Sequence, residues 1–315
     1  KFAALKFLFI VINISLNLLY FVALPALYAS YPDAVGAIYS PEVGVGYVFY
    51  LNLVCTSIVM LCLIPELRGF KWVFDWSLFK RMIAYSSPIL LLGIAGVLNQ
   101  NADKIMFPFL YEQPDAKSQL GIYGAASKIA MIMAMILQAF RYAYEPFVFD
   151  KSRDKDSKET YAVTMKYFVI FTLLAFLVVV AYLDIIKYII APDYWEGLKV
   201  VPVVLWTYIF QGVYFNLSFW YKLTDKTQWG AYFSILGVVI TFALQAIFVP
   251  RIGYMASAAS STVCYLVIML LSYFVGRKHL EIPYDLRRIG IYTLLVVALL
   301  AGYYALAHFL SINEW

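Results

Sequence analysis

Groups that hold metals or act as nucleophiles are scarce in this sequence. Two histidines and three cysteines stand among 315 residues, and none falls at a spacing that binds a metal. Cys55, Cys62 and Cys264 all lie inside long apolar runs, where a thiol packs as a small hydrophobe. No Gly-rich phosphate loop and no nucleophile motif appears, which speaks against direct coupling to ATP. No cofactor is expected. Charge is the largest deficit: charged residues are 14% of the chain and hydrophobic ones 63%, against about 25% charged in soluble domains. No water-soluble arrangement could bury so much apolar side chain.

What the sequence has in place of charge is length of apolar run. The uncharged stretches 7–32, 43–65, 82–102, 200–221, 229–250, 252–276 and 289–313 each reach or exceed the roughly 20 residues that span a bilayer as a helix. Two more, near 120–149 and 167–190, are as long but carry ionisable residues. In lipid every backbone polar group must be satisfied within the protein, so the choice is helices or a closed barrel. The runs lack the alternation of barrel strands. The expected fold is therefore all-α, a polytopic membrane protein with about nine transmembrane helices.

The net charge of +5 would suggest a nucleic-acid partner in a soluble domain, but here it reads as topology. The N-terminus and the loops after segments two, four, six and eight hold seventeen Lys and Arg, whereas the opposite loops hold only Lys117, Lys187, Lys199 and Arg251. The positive-inside rule puts the first set in the cytoplasm. No nucleic acid is implied.

Residues 66–82, with Arg68, Lys71, Lys80 and Arg81 among Phe70, Trp72, Phe74, Trp76 and Phe79, suit an interfacial piece linking two helix groups. The charged stretch 149–166 reads as a solvated linker. External loops are too short to fold as a domain. In segment eight Gly253, Ser257 and Ser261 recur every four residues, a spacing that lets helix backbones approach closely in lipid.

Segments three and four hold the candidate site. Asn99, Gln100, Asn101, Asp103 and Lys104 interrupt segment three just before Pro108, with i,i+4 spacing setting Asn99 beside Asp103 and Gln100 beside Lys104. The alternative is that residues 82–102 already span the bilayer and leave Asp103 and Lys104 in the outer headgroup region with a topological role only. Segment four carries Lys128, Gln138, Arg141 and Glu145. The last three fall within about 60° of one another on a helix and so form one polar stripe. Such groups are costly in lipid and usually face a bundle interior or an aqueous cavity. An i,i+4 ion pair between Arg141 and Glu145 is the competing, purely structural account.

The stretches ADKIMFPFL and LGIYGAASKIA, followed in order by IAPDYWEGLKVVPVV, YKLTDKTQWGAYFS and IFVPRIGYMASAASSTV, resemble the multidrug/oligosaccharidyl-lipid/polysaccharide exporter superfamily, most closely its polysaccharide flippase branch. The resemblance covers residues 83–277. It implies two six-helix bundles in pseudo-repeat around a central cavity. On it, residues 1–65 are the last two helices of a first bundle, 66–82 a cytoplasmic linker, 83–277 the second bundle and 278–315 an appended helix. Four helices would precede Lys1, which fits a chain without an initiator Met.

The resemblance also implies a non-enzymatic flippase in a bacterial cytoplasmic membrane. Its partner would be a polyprenyl-pyrophosphate-linked oligosaccharide, carried across for surface polysaccharide assembly alongside the polysaccharide-assembly machinery. Lys104, Lys128 and Arg141 are then the candidate cations for the pyrophosphate, and Asn99, Gln100 and Gln138 the candidate sugar contacts. Asp103 and Glu145 are the carboxylates suited to a coupling ion. Two other readings stand beside this one. A proton- or sodium-coupled drug or metabolite antiporter of the same superfamily would use one of those carboxylates. A membrane polysaccharide polymerase or ligase would need a large external loop, which the chain lacks, and its His279 and His308 are poorly suited to catalysis.

Overall fold

The computed structural model describes residues 2–67 and 74–309, and the side chains of a few further residues, Asn99 and His308 among them, fall outside the described set. The expected interfacial piece at 66–82 lies partly beyond it. Every described element is helical, with no strand among the described residues. Among the described residues eight helical spans are long and apolar enough to cross a bilayer, and the chain is a multi-pass membrane protein. The large apolar side chains on its surface, such as Phe7, Phe49, Met135 and Phe171, are those a lipid solvent accepts.

In chain order the helices are α1 (Ala4–Ser30), α2 (Gly46–Leu63), α3 (Trp76–Ile105) and α4 (Ala116–Lys151). There follow α5 (Ser157–Ala181), α6 (Val201–Leu217), α7 (Gln228–Ile252), α8 (Tyr254–Arg277) and α9 (Leu286–Phe309). The third expected segment, 82–102, forms part of α3, which is 30 residues long and is not one of the eight spans.

The chain divides into two compact units, Lys1–Phe79 and Lys80–Trp315. In the first, α1 packs on α2. Pro25 lacks the N–H that would continue the α-ladder, and the five residues Leu19–Ala23 before it widen into a π-helical turn. A tyrosine cluster closes the end of this pair: Tyr47 stacks on Tyr39 with centroids 5.5 Å apart, and its hydroxyl accepts from the Ser40 N–H at 2.7 Å.

In the second unit α6 is central. It packs against α4, α5 and α8, while α7 lies on α8 and α9 on α5. Its approach to α4 and α5 needs a residue without a side chain: a Cβ on Gly212 would stand 2.4 Å from both Leu137 Cδ2 and Phe168 Cζ. The face of α8 that packs inward is made of small residues, with Ala256, Ser257, Ala258, Ser260 and Ser261 all buried. Gly253 joins α7 to α8 at φ +67, a conformation that glycine alone adopts without strain.

Candidate functional site

A cavity of about 460 Å³ opens in the second unit along α4, a size within the range of sites for small organic ligands. The helix repeat of α4 builds it. One face, Ile122, Ala126, Ile129, Met133 and Leu137, is buried in the packed core. The adjoining face brings Tyr123, Ser127, Lys128, Gln138 and Arg141 to the cavity wall, and α6 adds Thr207, Tyr208, Gln211 and Phe215 from its own 3.6-residue repeat. Ser261 and Tyr265 of α8 and Gln100, Asn101, Asp103 and Lys104 of α3 complete the lining. Seven of the site residues named from sequence, Gln100, Asn101, Asp103, Lys104, Lys128, Gln138 and Arg141, thus share one cavity. Asn99 is outside the described side chains.

The α3 corner holds the most constrained polar group. The helix stops at Ile105, because Pro108 cannot supply an N–H to extend it. Asp103 is 4% exposed. Its Oδ2 accepts from Lys104 Nζ at 2.8 Å and from the Tyr123 hydroxyl. Its Oδ1 is buried without a hydrogen-bond partner, as is the Ser127 hydroxyl nearby on the cavity wall. Gln245, fully buried in α7, fits the same corner from behind. With its amide nitrogen toward Ala102 O at 3.3 Å and its oxygen toward Asp103 N at 3.0 Å, both are satisfied. The i,i+4 pairing expected of Lys104 with Gln100 gives way to this contact with Asp103, where an opposite charge is available.

The cations differ in how far they are neutralised. Lys104 is paired with Asp103. Lys128 and Arg141 have no carboxylate within ion-pair distance among the described residues, and Arg141 rests on the Phe215 ring at 4.6 Å. The alternative pairing of Arg141 with Glu145 is not formed. Glu145 is paired with Lys222 at 2.5 Å and does not line the cavity, so the polar stripe on α4 parts after Arg141.

Between the charged ends the wall is rich in hydroxyls and amides. Thr207 and Thr262 hydroxyls meet at 2.7 Å, and Gln211 donates to the Tyr265 hydroxyl at 3.1 Å. Tyr123, Tyr208, Gln211 and Tyr265 were not among the expected site residues. Gln211 and Gln245 could have been found, since an amide inside an otherwise apolar run is itself a sign of an internal polar partner. The tyrosines could not, because tyrosine serves equally at membrane interfaces.

Comparison with curated proteins and with solved structures returns no match. A family model does match: residues 105–247 align with MatE. That stretch runs from the end of α3 to α7 and contains most of the cavity wall, Lys128 and Arg141 included. Residues 105–247 of this multi-pass membrane chain, less than half of its length, are therefore similar to MatE.

Proposed function

We propose that the protein is a flippase that carries a polyprenyl-pyrophosphate-linked oligosaccharide across a bacterial cytoplasmic membrane by alternating access. The observation that carries this reading is the pairing, in one cavity, of two cations without carboxylate partners and a wall of phenols, hydroxyls and amides. A pyrophosphate is recognised by charge-assisted hydrogen bonds, which Arg141 and Lys128 can give. A sugar is recognised by groups that both donate and accept, which Tyr208, Tyr265, Thr207 and Gln211 supply. On this reading α3–α8 is one lobe, α9 an addition to it, and residues 1–65 the end of another lobe. The polyprenyl tail stays among membrane lipids, and the carried sugar passes to the polysaccharide-assembly machinery.

The test is the cation. In full-length protein expressed in cells whose own exporter is deleted, Arg141→Ala lowers surface polysaccharide at least about tenfold, the loss of one charge-assisted contact, with membrane abundance held. Arg141→Lys restores part of it, since charge returns without the planar fork. Full output from Arg141→Ala would refute the proposal. Loss of the protein from the membrane in step with output would assign Arg141 to folding.

A second reading, an ion-coupled antiporter of small molecules, draws on Asp103. A buried carboxylate with one oxygen free of partners is a place for a proton or sodium ion. The two readings share that coupling site and separate on the cargo.

A further inference from the structure

At the Arg141 end of the cavity, three charged residues and two rings are arranged against the local expectation. Arg141 and Glu145 stand one turn apart on α4, at the spacing where helical ion pairs close. Their order, cation first, is the weaker of the two orientations, and they do not pair. Glu145 meets Lys222 Nζ at 2.5 Å, a residue 77 positions further on in the short helix Phe219–Leu223 that follows α6. Lys222 Nζ is itself fixed over two rings, 4.9 Å from Phe219 and 5.2 Å from Phe215. Phe215 is buried and receives the Arg141 guanidinium as well, at 4.6 Å.

The consequence lies in what remains for a ligand. An arginine whose fork is closed by a carboxylate is a neutral pair with its donors in use. An arginine resting on an aromatic ring keeps its charge and its in-plane N–H groups. Arg141 lines the cavity, and Lys222 and Glu145 do not. We propose that Lys222 is a positioning residue: it holds the Glu145 carboxylate away from Arg141 and so keeps the guanidinium open to a phosphate-bearing group in the cavity. This rests on the reading of the cavity as an anion site. Lys222 does not touch the anion and acts only through Glu145.

The experiment is a double-mutant cycle on the full chain in lipid nanodiscs, with inorganic pyrophosphate as the probe and calorimetric affinity as the readout. Lys222→Met should weaken binding about tenfold, as Arg141→Ala does, because Glu145 closes on Arg141. In the Glu145→Gln background the same Lys222→Met change should alter affinity less than about twofold, because no carboxylate is left to close. A purely structural Lys222–Glu145 pair would show the same cancellation in the cycle, so monodisperse elution and an unchanged melting temperature of each variant are required to separate folding from binding. Equal weakening by Lys222→Met in both backgrounds would mean that Lys222 meets the anion itself, and would overturn the proposal. So would unchanged affinity in Lys222→Met while Arg141→Ala loses binding. Retained affinity in Arg141→Ala would instead remove the anion site on which the proposal depends.

Discussion

Asp103 uses one carboxylate oxygen twice and the other not at all. Oδ2 takes both Lys104 and Tyr123, while Oδ1 is buried without a partner, as is the Ser127 hydroxyl on the same cavity wall. Burying an acceptor without a partner costs about 1–3 kcal/mol, and a small cation at Oδ1 would remove that cost. Binding there stabilises the folded protein by mass action. The melting temperature of the purified protein should therefore rise with sodium, and Asp103→Asn should abolish the rise. A shift that survives in Asp103→Asn would place coupling elsewhere.

The same scale separates what could be read from sequence from what could not. Lys128, Gln138 and Arg141 were legible because ionisable and amide groups in an apolar run need an internal face. The partner of Glu145 was not. Helical spacing says which groups can reach one another, and a lysine 77 residues away enters only through the tertiary packing of α4 against the end of α6. Tyr208 and Tyr265 were hidden for a different reason, since their residue type also populates the membrane interface.

Among the elements, α6 sets how closely the second unit can pack. Its Gly212 lies where α4 and α5 converge, and the same residue lines the cavity. Gly212→Ala would drive a methyl group into Leu137 and Phe168, an overpacking cost of about 1–3 kcal/mol. Denaturant unfolding in detergent should register that loss, and an unchanged midpoint would show that the three helices part without cost. The helices themselves were legible from hydrophobic length. Their interruptions were less so: α3 breaks at its polar end because of Pro108, whereas α4 runs through Pro146 and α7 through Pro250 without ending. A proline shows where an N–H is missing and leaves to tertiary packing whether the helix stops there.

For the whole molecule the open question is which side of the membrane each loop faces. From the charge asymmetry we expect the loop after α4 to lie in the cytoplasm. Cys62 is exposed, and Cys55 and Cys264 are buried, so a Cys62→Ser background gives a quiet starting point for labelling. A cysteine placed at Lys155 should then resist impermeant thiol reagents in intact cells, while one at Asp115 or Asp193 should react. The reverse pattern would invert the orientation.

The turn at Gly253 carries a consequence for biogenesis. Ile252 ends α7 and Tyr254 begins α8, so a single residue separates two spans of 25 and 24 residues. No stretch of chain between them can wait in water while one helix inserts and the other is still being made. The two must enter the lipid together as a closed hairpin, with their backbone polar groups already satisfied and the small-residue face of α8 against its partner. The hinge of that hairpin favours glycine through its backbone, since φ +67 strains any residue with a Cβ, while the Tyr111 ring at 3.6 Å leaves room for one. A fault at Gly253 should therefore show first as failed membrane integration, before any loss of transport by protein that has already inserted.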